Sequence, residues 1–378
     1  MKTLLATAGA FALLTTSMTN AADTNPAADA ISPLLAPWVG PYGGVPPFDQ
    51  VKVVDLKPGL ETGMAQQLAE IDRIANDPAA PTFENTIAAM ERAGRTLDRV
   101  GTIYGVYSST LNDEAVQAVE REMAPKLAAF SDQITQNPKL FERIARVYET
   151  RETSGLTPEQ QRLTWVYYTN FVRAGARLDA AGKKRTAEIN QELARLFTAF
   201  GQNVLKDENE GVIYLDQESD LAGLPQGVRD GMAQGAEGRG QKGKWAIANT
   251  RSSIEPFLTY SDNRALREKA WRMFVNRGDN GGATDNNTTI AQILQLRAER
   301  AQLLGFPTHA HWRLENTMAK TPERAMELME AVWTPAVARV HEEVADMQKI
   351  ADAEKAGIKI EPWDYRYYAE KVRKAKYD

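Results

Sequence analysis

No cysteine occurs anywhere in the 378 residues, which excludes disulfides, a lipidated N-terminal cysteine, thiolate metal ligands and a thiol nucleophile. Histidine is nearly as scarce: His309, His311 and His341 are the whole supply, so little material exists for an imidazole metal site. Charge of one sign is not concentrated in any block, and the formal net charge is -5 with acids and bases intermixed. Nothing is therefore built to neutralise a phosphate backbone or an anionic lipid surface, and no nucleic acid partner is expected. Beyond the first segment no apolar run approaches the ~20 residues of a membrane span, so no membrane is expected for the mature form. What is present is 43% apolar and 25% charged residues, enough for a substantial core and more than one lobe.

The first residues read as an export address covering 1–22. Lys2 supplies positive charge, Leu4 to Leu14 is a short apolar run, and Thr19-Asn20-Ala21 with Ala22 offers small residues for cleavage. The expected destination is the periplasm, with secretion as the second choice. Residues 23–59 are rich in Ala, Pro and Gly and read as an extended lead-in.

From Leu60 onward the apolar spacing is helical, and the expected fold class is mainly α with one small sheet. Ile189, Leu193, Leu196, Phe197, Phe200 and Val204 mark one core-facing stripe. Thr157-Pro158-Glu159-Gln160 predicts a capped helix start, followed by the stripe Leu163, Val166, Tyr167, Phe171 and Leu178. Thr82 predicts another, with Glu84 in its first turn and Ile87, Met90 and Leu97 continuing it. Further helices are expected over 264–275, 290–304 and 322–350, with Pro335 kinking or breaking the last. Gly211 to Leu215 and Trp245 to Ala248 read as strands, and the glycine-rich stretch 235–244 between them as an exposed loop and a soft boundary. The division expected is a helical lobe over 60–240 and the start of a second unit over 241–378.

The chemical motifs fall short of a site. A helical zinc hydrolase needs H-E-x-x-H, which sets two imidazoles on one face with a glutamate to deprotonate water; His341-Glu342-Glu343-Val344-Ala345 has alanine where the second histidine must stand. His309 and His311, two apart beside Pro307, suit a strand or turn and read as structural or surface residues, a weak metal contact being the other reading. Gly238 to Lys244 has the spacing of a phosphate-binding loop, but Trp245 replaces its Ser or Thr. Arg277 to Asn287 is rich in acids and amides yet lacks the ligand order of a calcium loop; a turn capped by Asp285 or Asn286 is expected, with cleft lining as the alternative.

Several collinear segments do resemble a known family. Gly40 to Phe48 (GPYGGVPPF) and Pro81 to Ile87 (PTFENTI) resemble the opening of bacterial peptidyl-dipeptidases. Arg267 to Trp271 (REKAW), Arg277 to Asn280 (RGDN), Leu296 to Gly305 (LRAERAQLLG), Met318 to Pro322 (MAKTP) and Glu361 to Tyr368 (EPWDYRYY) are similar to the thimet oligopeptidase family of zinc metallopeptidases. The resemblance implies a helix-rich, two-lobed fold around a channel that admits short unstructured peptides, one zinc held by H-E-x-x-H and a later glutamate, and release of C-terminal dipeptides. It implies too that this chain is the front portion, that no catalytic or zinc residue falls within it, and that the missing C-terminal half lies in cis. Large apolar faces built to meet that half should then be exposed. Arg277, Asn280, Asp285 and Asn286 are the candidate channel residues. The alternative is a non-catalytic helical module that holds peptides or a protein partner.

Overall fold

The computed structural model describes residues 32–377, so the export address lies outside the described residues. The lead-in is shorter than expected. A turn at Pro41–Gly43 is closed by an antiparallel bridge between Val39 and Val45, and helix α1 already begins at Val53 (Val53–Ala75). Gly44 has φ +124°, and a Cβ there would sit 2.7 Å from the Trp38 Cβ, so only glycine fits. Pro58 lies inside α1 and removes one backbone donor, but Leu56, Leu60, Met64 and Ile71 put a continuous face into the core. At about 1.5–3 kcal/mol for each fully buried aliphatic side chain, that face outweighs one lost hydrogen bond.

Thr82 caps as expected: its hydroxyl accepts from the Asn85 N–H at 3.1 Å, and Asn85 returns the bond to the Thr82 N–H at 2.8 Å. The wide turn Phe83–Ile87 runs into α2 (Ala88–Arg92). That helix does not reach Leu97. Gly94, at φ +82° with its N–H donated to the Glu70 carboxylate at 2.7 Å, breaks the chain and starts α3 (Arg95–Thr110). Helices α4 (Glu114–Thr135), α5 (Pro138–Thr150), α6 (Pro158–Arg173) and α7 (Ala180–Glu210) follow. The box at the start of α6 forms as read, Gln160 N–H to Thr157 at 3.3 Å and Thr157 N–H to Gln160 at 3.0 Å. Leu178 falls beyond its end. On α7, Ile189, Leu193 and Leu196 are buried, whereas Phe197 is 41% exposed and carries the Arg297 guanidinium 5.0 Å from its ring centre. An aromatic at helical spacing is there a platform for a cation, not core.

Two strands, β1 (Val212–Leu215) and β2 (Trp245–Ala248), pair antiparallel with Val212 opposite Ala248. They are not a tight hairpin, since α8 (Gln226–Glu237) lies between them. Ile213, Leu215 and Met232 pack with Ile247, Ile254 and Phe257, so one apolar cluster joins the sheet, α8 and α9 (Arg251–Tyr260) across the glycine-rich loop.

The remaining helices are α10 (Arg264–Val275), α11 (Asn287–Leu303), α12 (His309–Leu314), α13 (Pro322–Ala353) and α14 (Tyr365–Tyr377). His309 and His311 thus sit on a short helix and not in a strand or turn, because Thr308 caps it by accepting from the His311 N–H at 3.3 Å. Pro335 does not break α13, which is one element of 32 residues. Asp364, fully buried, ties the loop before α14 to α10: it accepts from Arg264 and from Arg267, each at 2.8 Å.

Candidate functional site

The acid- and amide-rich stretch between α10 and α11 forms a loop clamped onto the end of α7, and one residue does most of the clamping. Asp207 accepts from the Gly278 N–H at 2.7 Å and from the Asn280 amide at 2.8 Å through one oxygen, and from the Thr284 hydroxyl through the other. Arg277 pairs with Glu208, one residue along the same helix, and lies 4.2 Å from the centre of the Phe274 ring. Asn286 is buried, accepting from Asn203 at 2.9 Å and donating to the Phe200 carbonyl at 3.2 Å.

Asp285 is the residue that caps α11, not through the cap position itself but by accepting from the Asn287 N–H at 2.9 Å; its second oxygen accepts from the Gly281 N–H at 2.9 Å. Those two backbone donors hold its carboxyl below the usual carboxylate range. The four candidate residues are therefore brought together in one loop, and their polar groups are engaged within it and on α7. Such a network fixes the shape of the loop. Asp207, its hub, carried no sequence signal: Lys206-Asp207-Glu208-Asn209-Glu210 reads as an ordinary solvated helix end.

A second buried polar cluster joins α4, α7 and α11. Asp132 accepts from the Asn190 amide at 2.8 Å, and the Asn190 carbonyl accepts from Arg300 at 2.8 Å. The other Asp132 oxygen has no partner among the described residues. Burial pushes the Asp132 carboxyl up to about 6, only partly offset by Asn190 and the Arg300 charge.

The three histidines do not converge. His341 stands exposed on α13, beside Glu342 and Glu343, which both pair with Arg339. Among the described residues no group of three or more His, Asp or Glu side chains is arranged to hold a metal ion. The residues in hand thus do not fit a zinc centre.

Among the described residues, α13 presents an extended apolar surface. Between Glu323 and Glu342, α13 is exposed at every position except Ala325 and Val337, which are partly covered. Met326, Met329, Trp333 and Val340 form a stripe at helical spacing, flanked by Leu328 and Val332, with Trp333 and Leu328 each 69% exposed. A surface helix normally turns such a stripe to its core; here the apolar half of the helix faces solvent.

Residues 257–378 match the family model described as Peptidase family M3, to which this part of the chain is similar. It is 34% identical over 346 residues to the dipeptidyl carboxypeptidase of Salmonella typhimurium, covering 92% of this chain and 51% of that protein. The dipeptidyl carboxypeptidase of Escherichia coli is also 34% identical, over 348 residues with the same coverage. Oligopeptidase A of Haemophilus influenzae is 27% identical over 338 residues, covering 88% of this chain and 49% of that protein. The chain spans about half the length of the curated relatives it matches.

Proposed function

We propose that this chain forms the first lobe and part of the channel wall of a zinc peptidase that removes C-terminal dipeptides from short unstructured peptides, and that it hydrolyses nothing by itself. The observation that carries the reading is the exposed apolar half of α13 in a chain spanning 51% of a dipeptidyl carboxypeptidase. The occupant of that face is the remainder of the peptidase, supplied in cis and bearing the zinc ligands that His309, His311 and His341 do not provide. Burying a Trp, two Met, a Leu and two Val there stabilises the assembled pair by several kcal/mol, at about 1.5–3 kcal/mol for each fully covered side chain. The Lys2, Leu4 to Leu14 and Ala21-Ala22 pattern supports export to the periplasm with cleavage after Ala21 or Ala22.

The test compares this chain with one extended to the length of its relatives, each supplied with zinc and an N-terminally blocked oligopeptide. The extended chain is expected to release dipeptides from the C-terminus, and this chain none. Zinc-dependent cleavage by this chain alone overturns the inactive-portion reading. Binding without cleavage by the extended chain favours the non-catalytic module.

A further inference from the structure

Trp312, on α12, lies among cations, two of which, Arg300 and Arg313, have no carboxylate bonded to them among the described residues. The Arg300 guanidinium is 4.7 Å from its ring centre and that of Arg313 is 5.6 Å away, while the His309 ring stands at 5.5 Å. Arg297, one turn from Arg300 on α11, is close enough to act electrostatically on both Arg300 and His309.

The acids facing this group are already engaged. Glu315 pairs with Arg173, which also covers the Trp312 ring at 5.5 Å, and Asp132, though its charge acts on Arg300, is hydrogen-bonded to it only through Asn190. Among the described residues neither Arg297 nor Arg313 has a carboxylate partner, and Arg300 bonds only to a neutral amide. In a chain of net charge -5, three guanidinium groups within mutual reach and without acids form a local excess that mere solubility does not require.

Two further atoms point the same way. Arg300 Nε and His309 Nδ1 are both buried from solvent and have no hydrogen-bond partner among the described residues. Arg300 Nε necessarily carries a proton, and such a buried N–H without an acceptor costs about 1–3 kcal/mol, which an anion in reach would remove. Burial and the three arginines hold the His309 imidazole below its ordinary value, which a bound negative charge would reverse.

We propose that Arg300, Arg313 and His309, arranged around the Trp312 ring, with Arg297 one turn along α11, form a recognition site for a carboxylate group of a peptide ligand. Guanidinium groups match a carboxylate in planar, two-point geometry, and the indole gives an apolar edge for the adjoining peptide. The peptide identity of the ligand rests on the proposed function; the anion site itself does not. A C-terminal carboxylate and an acidic side chain share this chemistry, and the probes separate them.

The experiment follows the three histidine ring signals of the soluble chain by NMR, with His309 assigned through His309→Gln. Four probes are titrated: a neutral peptide with a free C-terminus, its C-terminal amide, an amidated peptide with one internal glutamate, and inorganic phosphate. Expected is a saturable shift of the His309 signal with the free-carboxylate peptide, the glutamate peptide or both, none with the neutral amide, and no response at His341. The double variant Arg297→Gln with Arg313→Gln, both at positions without ion pairs, should weaken binding at least tenfold while lowering the thermal unfolding only slightly, through loss of the cation contacts with Phe197 and Trp312. Silence of His309 toward every probe, a response to phosphate alone, or an undiminished response in the double variant overturns the proposal. Because binding is read without hydrolysis, a responding His309 in a protein whose extended form cleaves nothing would leave this site standing and remove the peptidase reading.

Discussion

The Arg267 guanidinium and the Asp364 carboxylate, 97 residues apart in sequence and both essentially out of solvent, meet at 2.8 Å. Arg267 also donates to the Ser261 carbonyl at 2.8 Å, and Asp364 also accepts from Arg264 at 2.8 Å and from the Glu361 N–H at 3.2 Å. Burial pushes the Asp364 carboxyl up, but these donors outweigh it and hold it below its ordinary value. The pair pins the segment before α14 to α10.

Asp364→Asn should therefore be among the most damaging single substitutions. It leaves the Arg267 charge buried without its counter-ion, a loss of about 3–5 kcal/mol measurable by urea unfolding at neutral pH. Replacement of an exposed acid such as Glu342, paired only with the exposed Arg339, should change stability by about 0.5 kcal/mol or less.

Asp207→Ala removes the acceptor for Gly278, Asn280 and Thr284 together. The expected result is fast amide exchange across residues 276–286, with exchange in α4 and α7 little changed, read by hydrogen–deuterium exchange. The accompanying stability loss is about 2–3 kcal/mol, because several donors lose one shared charged partner.

Asp132 gives a pH dependence of definite sign. The folded protein keeps this proton up to about pH 6, whereas the unfolded chain releases it near the ordinary value of 3.8, so the folded state binds more protons between those values. The contribution to stability is complete below about pH 4, falls as pH rises to about 6, and stays lost above. Asp132→Asn should flatten that slope and raise stability at neutral pH by about 2 kcal/mol, measured as thermal unfolding from pH 4 to 7.5.

The exposed half of α13 predicts a substitution that improves this chain while damaging its assembly. Met329→Glu with Trp333→Glu should leave the unfolding midpoint of the chain nearly unchanged, since both side chains are more than half exposed, and should reduce self-association seen by light scattering. The same pair in a chain extended to the relatives' length should lower stability by several kcal/mol.

Local chemistry sufficed wherever one residue could satisfy a neighbour close in sequence. Thr82 and Thr157 cap helices because a short hydroxyl reaches an amide three residues on, and the two strands are branched or aromatic runs between turn-formers, whereas the Thr308 cap that sets His309 and His311 on a helix was not read. The stripe on α7 was readable in part: Ile189, Leu193 and Leu196 are buried, but Phe197 at the same periodicity is not. Pro58 and Pro335 lie within helices because packing or sheer length of the element overrode a single missing donor.

The helical class, the absence of thiol chemistry and of H-E-x-x-H, and the resemblance that comparison with peptidase relatives bears out were all legible in the residues alone. Tertiary contacts alone show that Asp207 organises the 276–286 loop, that Asp364 joins two distant helices, and that Arg300 and Arg313 gather around Trp312 without a carboxylate bonded to either. The physical reason is range. Caps and periodicity are satisfied within a few residues of the same element, whereas a buried ion pair or a cluster of unpartnered charges exists only once chain segments tens of residues apart are brought into contact.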